Sequence, residues 1–192
     1  IGIADTSAPY AADWTADPDN LVDGTSYDLR ITITDSAGNS STAEVTGIDC
    51  DISDPYVTDV TSTDDYYNVP DVITIDVTFN EDVFVDTGSG TPQLILSLGH
   101  ADYSTTTNNV VSFTYTVQPG DNDNDLNYQD NASLVLNGGT IKDSGGNDAI
   151  LTLADPGTAN SLSDNNDVFV DTTAPTGTIA NLSNNDVVNT TQ

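Results

Sequence analysis

A short acidic stretch, GDNDNDLNYQD, carries four carboxylates, at Asp121, Asp123, Asp125 and Asp130. Alternating Asp residues also open an EF-hand loop, which needs Gly at its sixth position and a bidentate Glu at its twelfth. Leu126 and Ala132 occupy those two positions, so a helix–loop–helix calcium hand is not predicted. Ca²⁺ takes six to eight oxygen ligands, and clustered Asp side chains supply them. We therefore expect a calcium site here, the alternative being a solvated acidic turn.

Two strings that open with Asp provide a second candidate site. Asp51-Ile-Ser-Asp-Pro55 is echoed by Asp171-Thr-Thr-Ala-Pro175, and each string follows one β-like segment and precedes another. We interpret both as domain junctions where carboxylates could share an ion, although an Asp before a strand also serves simply as a turn residue. The candidate ligands at the two junctions are Asp49, Asp51 and Asp54, and Asp164, Asp167 and Asp171.

A second echo marks a turn late in each repeated unit. Asp35-Ser-Ala-Gly-Asn39 matches Asp143-Ser-Gly-Gly-Asn147, which Asp148 follows. Asp, Asn and Gly favour tight turns, and such turns would lie at the poles of β domains, where they could reach a junction. The further candidate ligands are Asp35, Asn39, Asp143, Asn147 and Asp148.

The charge of the chain is extreme. Its 192 residues contain 31 acids and two bases, Arg30 and Lys142, for a formal net charge of −29, and every acid except Glu44 and Glu81 is Asp. Such a chain repels phosphate backbones and anionic membrane surfaces, which excludes nucleic acid as a partner. Asp prefers turns to helices and strands, so the acids are expected in loops. A salt-adapted surface is the alternative explanation of the charge.

Cysteine usage and hydropathy indicate the compartment. Cys50 is alone, so no internal disulfide is expected, and a chain rich in Thr, Ser and Asn without Met is typical of an extracellular β protein. No apolar run approaches the length of a membrane span. We expect a secreted or cell-surface protein without membrane insertion.

Alternating hydrophobicity predicts strands throughout the chain. In VITIDVTF the residues Ile73, Ile75, Val77 and Phe79 share one face, and in VVSFTYTV so do Val111, Phe113, Tyr115 and Val117. QLILSL repeats the pattern with Leu94, Leu96 and Leu98, and YDLRITIT with Leu29, Ile31 and Ile33. Short strands separated by turns rich in Gly, Asn, Asp and Pro predict an all-β fold, a β-sandwich.

The echoes divide the chain into three parts. Residues 51–171 are predicted to form one complete sandwich, residues 1–50 the C-terminal half of a preceding domain, and residues 172–192 the first strand of a following one. The incomplete ends are expected to be completed by neighbouring repeats of the same chain, by an adjacent chain that donates a strand, or to mark a window within a longer array.

The motifs at these junctions resemble the bacterial immunoglobulin-like tandem repeats of giant calcium-dependent cell-surface adhesins. The resemblance lies in DTTAPT, in FNEDVFVD with TPQLIL, in FTYTVQPGDND, and in SLVLNGGTIKDSGGNDAILTL. It implies tandem sandwiches, calcium at or near the junctions, and a role in extending or presenting adhesive domains. The string Cys50-Asp51-Ile-Ser-Asp-Pro departs from the usual DTTAP-like junction.

The sequence contains no catalytic motif: it has no Gly-x-Ser-x-Gly, no P-loop and no paired His. We therefore expect a non-catalytic, calcium-stiffened extender repeat of an adhesin or extracellular fibre. One alternative is a self-assembling filament subunit, a head-to-tail homopolymer completed by strand donation. Another is a calcium-dependent carbohydrate-binding module, with Trp14 and Tyr10 or Tyr66 and Tyr67 as stacking platforms.

Overall fold

The computed structural model describes residues 21–34 and 37–177. Several predicted features lie outside these residues: the candidate ligand Asp35, the aromatic residues Tyr10 and Trp14, and most of the strand TGTIANL that was expected to open a following domain. The described chain is all-β, as predicted, and its arrangement of several antiparallel sheets is compatible with a β-sandwich.

Thirteen strands and one short helix make up the described part of the chain. The strands are β1 (Thr25–Thr34), β2 (Ser40–Cys50), β3 (Val57–Thr61), β4 (Asp65–Tyr67), β5 (Val72–Phe79), β6 (Phe84–Asp86), β7 (Gln93–Leu96), β8 (Gly99–Thr107), β9 (Val110–Thr116), β10 (Asn122–Asp123), β11 (Leu134–Val135), β12 (Thr140–Lys142) and β13 (Val168–Asp171), and the helix is α1 (Leu162–Asn165). Within this part, no helix is long and apolar enough to cross a bilayer.

The largest sheet has six strands in the order β11-β7-β8-β9-β5-β3. Within it β5 pairs antiparallel with β9, and Ile75 lies opposite Phe113. The predicted inward faces are buried: Ile73, Ile75, Val77 and Phe79 on β5, and Val111, Phe113 and Tyr115 on β9 with Val117 just beyond it. The alternation of these two segments is therefore confirmed. Leu94 and Leu96 are also buried, whereas Leu98 follows the end of β7 and is only partly covered.

Smaller sheets cover the other side of this core. One has the order β10-β13-β4, and in the other β12 pairs with β6. Val168 and Val170 of β13 and Ile141 of β12 are buried in the same apolar cluster as β5 and β9. The core residues all come from the segment between Val60 and Val170.

The two strands that precede this core form an antiparallel hairpin, and among the described strands β1 pairs with β2 alone. Its apolar face differs from the prediction: Ile31 is 39% exposed and Ile33 67% exposed, where half-buried residues were expected. Alternation makes the face, but only an opposing layer can bury it, and among the described residues none covers it. Cys50 ends β2 and is buried.

Candidate metal centre

Three carboxylates converge where the hairpin leads into the sandwich. Asp51, Glu81 and Asp143 each place one oxygen so that all three oxygens lie within 4.8 Å of one another. Asp51 directly follows β2, Glu81 lies in the loop after β5, and Asp143 directly follows β12. We call this group the acidic triad. Two of its members, Asp51 and Asp143, were predicted ligands from different motifs.

The loop that carries Glu81 is tied to the linker between β2 and β3. The backbone N–H of Tyr56 donates to Oδ1 of Asn80 at 2.6 Å, and the N–H of Asn80 donates to the carbonyl of Tyr56 at 3.0 Å. The neighbouring carbonyl of Pro55 accepts the N–H of Ile150 at 2.7 Å. These bonds hold two segments of the sandwich against the linker: the loop that carries Glu81, and the segment around Ile150.

The turn after β12 orients Asp143. Oδ1 of Asp143 accepts the backbone N–H of Asn147 at 2.9 Å, and Oδ2 accepts the side-chain Nδ2 of the same residue at 2.8 Å. Nδ2 also donates to the backbone carbonyl of Asp51 at 3.2 Å. Gly145 makes this approach possible, because a Cβ there would stand 3.0 Å from that carbonyl oxygen. The echoed Asp-Ser-Gly-Gly-Asn string thus forms a turn that fits against the linker.

The base of the hairpin holds the other side of the linker. Asp23 accepts the N–H of Ile52 at 2.9 Å and the hydroxyl of Ser53 at 2.5 Å, and these two bonds lower its pKa. The N–H of Gly24 donates to the carbonyl of Cys50 at 2.8 Å. The residues on both sides of Asp51 are therefore bonded to the hairpin.

The three carboxylates of the triad repel one another when all are ionised and no cation is bound. Asp143 is only 5% exposed. The pKa of Glu81 is raised, first by burial, with the charges of Asp51, Asp143 and Asp23 adding to the increase. The nearest base in sequence, Lys142, instead pairs with Asp148 at 2.6 Å. The neighbouring negative charges therefore oppose ionisation of Glu81 unless a cation neutralises them.

A hard divalent cation fits this donor set. All three side chains offer oxygen and none offers nitrogen or sulfur, which suits Ca²⁺ or Mg²⁺ rather than zinc. The three oxygens come from the linker and from two different loops, so an ion bound by all three would join those segments.

Four other predicted ligands belong to this part of the chain, and none of them joins the triad in the described structure. Asp49 is an exposed β2 residue opposite Ser26, and Asp54 is exposed in the linker. Asp148 holds Lys142. Asn39 lies at the tip of the hairpin, next to the Thr34–Ser40 pair, whereas Asp51 follows the Thr25–Cys50 pair at its base. About nine residues of strand, roughly 30 Å, separate Asn39 from the triad.

The acidic stretch 120–130 is not gathered into one group in the described structure. Asp121 accepts the hydroxyl of Tyr115 at 2.6 Å and the N–H of Gln118 at 2.7 Å. Oδ1 of Asp130 accepts the N–H of Ala132 at 2.9 Å and the Ser133 hydroxyl at 3.2 Å. These two carboxylates therefore fix local turns.

The two middle carboxylates of this stretch belong to a looser acidic surface. Asp123 accepts the hydroxyl of Ser97 at 2.5 Å and the N–H of Asp125 at 3.1 Å. The pKa of Asp125 is raised by burial and then by the charges of Asp167 and Asp123. The charges of Asp123 and Asp167 thus act on Asp125, although the three carboxylates do not meet the spacing of the triad.

The remaining candidates belong to the end of the sandwich. Asp171 ends β13, and its Oδ1 accepts the N–H of Thr173 at 2.8 Å. Asp164 lies in α1. In the described residues neither carboxylate joins a group like the triad.

The third member of the triad, Glu81, was not predicted as a ligand. Two features of the sequence could have pointed to Glu81 as a ligand. It is one of two Glu residues in the chain, and it directly follows Asn80 after the end of β5. Comparison with known proteins adds no further candidate, because no family model, no curated protein and no solved structure matches this chain.

Proposed function

We propose that this protein is a non-catalytic extender repeat of a large secreted or cell-surface adhesin or extracellular fibre, stiffened by calcium at the junction between successive domains. The observation that carries the proposal is the acidic triad. It joins the linker residue Asp51 to Glu81 and Asp143 of the sandwich, while Asp23 of the hairpin holds the next two linker residues.

Calcium binding would act on the joint directly. When bound, the ion supplies positive charge that offsets the repulsion among the three carboxylates. Asp51 would then be fixed to the sandwich, and its neighbours are already bonded to the hairpin. The linker would lose freedom on both sides, so the hairpin domain and the sandwich would keep a defined relative direction.

The charge of the whole chain supports the same role. With 31 acids and two bases, repeats of this kind repel one another, which favours an extended array over a collapsed one. In this proposal the useful properties are length and stiffness. The partners of this repeat are the neighbouring repeats of the same or an adjacent chain.

Small-angle X-ray scattering and thermal melting test the proposal. Both are measured in excess calcium, in excess magnesium and in chelator, at one ionic strength so that general screening is constant. Ligand at 100 times its dissociation constant adds about 2.7 kcal/mol to the free energy of unfolding, which is a rise of several degrees. We expect that rise with calcium, together with a narrower distribution of interatomic distances.

A matched pair of variants localises the effect. Asp143→Asn removes a triad charge and should abolish the response, whereas Asp130→Asn, which removes a charge from a local turn, should leave it intact. A calcium response that is equal in wild type and Asp143→Asn would remove the triad from the proposal. The absence of any response would leave the acids as a salt-adapted surface.

One observation favours a second candidate function, a filament subunit completed by strand donation. The apolar face of β1 and β2 is exposed in the described structure, including Ile33 and Val45. A two-stranded hairpin is marginal alone and gains stability when a further strand or layer covers it. Light scattering at micromolar concentration separates the two functions, since an extender stays at the mass of a monomer and a filament subunit forms polymers of higher mass.

A further inference from the structure

A stacked aromatic pair stands on the surface of the sandwich, away from the residues of the acidic triad in sequence. The rings of Tyr66 and Phe169 have centroids 4.7 Å apart and planes 13° apart. Their strands, β4 and β13, run parallel, with Tyr66 directly opposite Phe169. Tyr66 is nevertheless 76% exposed, so Phe169 covers only one face of its ring.

The place of β4 in its sheet leaves the other ring face accessible. Within residues 21–34 and 37–177 the sheet has the order β10-β13-β4, so β4 is its edge strand and no described strand lies on the outer side of Tyr66. An exposed aromatic ring at a sheet edge costs free energy in water and is a common feature of binding surfaces.

Strand addition at this edge is disfavoured by the hydrogen bonds already present. The backbone N–H groups of Tyr66, Asn68 and Val69 donate to side-chain oxygens of Asp65, Asp71 and Asn68, at 2.7, 2.8 and 2.7 Å. Donors occupied in this way are not open to a new strand, which is a common protection of edges. A ligand at this edge would therefore be a side chain or small group rather than an extended backbone.

Three carboxylates bond to backbone N–H groups in or next to β4 and β13, the strands that carry the aromatic pair, and each is thereby oriented. Oδ1 of Asp64 accepts the Nδ2 of Asn166 at 2.8 Å and the N–H of Asp167 at 3.1 Å. Asp65 and Asp71 each hold a backbone N–H with one oxygen, as above. In the described residues the second oxygen of each carboxylate has no protein hydrogen bond. The charges of all three also raise the pKa of Tyr67, an effect that follows burial as the first cause.

We propose that the outer face of Tyr66 is a docking site for an arginine side chain of a basic partner polypeptide. A guanidinium stacks flat on an aromatic ring and donates to carboxylates through a planar fork of N–H groups. The exposed ring offers the stacking contact, and the carboxylates of Asp64, Asp65 and Asp71, held on the backbone beside these strands, supply acceptors for the fork.

Charge complementarity selects this occupant. The surface carries carboxylates and, among the described residues near it in sequence, no base, so an anionic ligand is repelled and a cationic one attracted. The chain itself is a poor source of the cation: Lys142 pairs with Asp148, and Arg30 lies opposite Glu44 across the hairpin. The arginine therefore comes from a polypeptide outside this sequence.

Nuclear magnetic resonance titration with a short capped tetra-arginine peptide tests this site. The controls are tetra-lysine, tetra-citrulline and a neutral oligosaccharide, all at an ionic strength near 0.15 M. We expect the Tyr66 ring resonances to move with arginine more than with lysine and not with citrulline. Replacing Tyr66 by Leu should weaken arginine binding roughly threefold or more, the usual scale of an exposed cation–π contact.

Three variants keep the test specific. Tyr66→Phe retains the stacked ring and should bind like wild type. Tyr56→Leu removes a tyrosine that is 50% exposed elsewhere on the surface and should also bind like wild type. Asp64→Asn keeps the acceptor for Asn166 and Asp167 but removes the charge, and should weaken binding.

The opposite results are equally clear. Equal affinity of wild type and Tyr66→Leu for tetra-arginine would mean general attraction to an acidic surface and would overturn the site. Movement of the Tyr66 resonances with the oligosaccharide but not with tetra-arginine would assign the ring to sugar stacking instead. Both outcomes are independent of calcium, because the titration is repeated in chelator.

Discussion

The side-chain Nδ2 of Asn147 donates to the backbone carbonyl of Asp51 at 3.2 Å, although the two residues are 96 positions apart in the chain. The same Nδ2 donates to Oδ2 of Asp143 at 2.8 Å. One amide therefore spans from the turn after β12 to the linker that enters the sandwich. It fixes the position of a linker residue before any ion is bound.

Replacing Asn147 by Ala should lower the free energy of unfolding by about 1–3 kcal/mol, because two hydrogen bonds are lost and one of them is to a carboxylate. Urea unfolding measures this change. Asn131→Ala, which removes an exposed amide bond to Asp155, is the control and should cost less. Equal losses in the two variants would show that the bridge to Asp51 contributes nothing special.

Glu81→Gln should change stability in opposite directions with and without calcium. In chelator the substitution removes a charge that Asp51 and Asp143 repel, so the melting temperature should rise slightly. In excess calcium it removes a ligand, so most of the calcium-dependent rise should disappear. Differential scanning calorimetry of both proteins in both buffers decides this, and a Glu81→Gln protein with the full calcium response would contradict it.

In chelator, stability should fall as the pH rises from about 4 towards neutrality. Glu81 and Asp125 have native pKa values above 4.5 and 3.8, so the native state holds their protons more tightly and loses stability as they ionise. Asp23 acts in the other direction: its pKa is lowered, and its contribution is lost as the pH falls below 3.8.

Urea titrations across this pH range, at constant ionic strength, measure that slope. Excess calcium should make the fall of stability with pH smaller, because a bound ion offsets the repulsion within the triad. Glu81→Gln should also make that fall smaller in chelator, because it removes one of the titrating groups. A stability that rose steadily from pH 4 to 7 in chelator would contradict the assignment of repulsion to these carboxylates.

At alkaline pH the sandwich should lose stability between about 10 and 12. Burial, and then the bond to Asp121, raises the pKa of Tyr115 to about 12, and burial raises that of Tyr128 to about 12. Tyrosines of the unfolded chain ionise near pH 10. Between about pH 10 and 12 their ionisation therefore lowers the free energy of the unfolded state more than that of the native state. Tyr115→Phe should make the alkaline loss smaller, and at neutral pH should itself cost roughly 1–3 kcal/mol for the lost bond to Asp121. Tyrosinate absorbance and circular dichroism follow both effects.

The strands of the sandwich were predictable because their alternation is strict and both faces have a consistent environment. Ile73 to Phe79 on β5 and Val111 to Tyr115 on β9 are buried at every second position, as the pattern requires. The hairpin shows the limit of the same reasoning. Leu29, Ile31 and Ile33 alternate equally well, but periodicity gives a face and does not provide the layer that buries it.

The candidate site was predictable only in part, for a related reason. The echoed strings predicted Asp51 and Asp143 as candidate ligands, because Asp and Gly at a turn carry local information. Glu81 joins them through pairing between Asn80 and Tyr56, which is a long-range contact that no local pattern contains. In the dense stretch 120–130, the hydroxyls of Tyr115 and Ser133 donate to Asp121 and Asp130, and the calcium site expected there stays a prediction.

The parallel pairing of β4 with β13 also has a mechanical consequence. One strand lies near the point where the chain enters the sandwich and the other where it leaves, and they run side by side in the same direction. Tension applied between those two points would slide the strands past each other, loading their hydrogen bonds together in shear instead of unzipping them one at a time. The pair of β4 and β13 would therefore resist such tension as a unit.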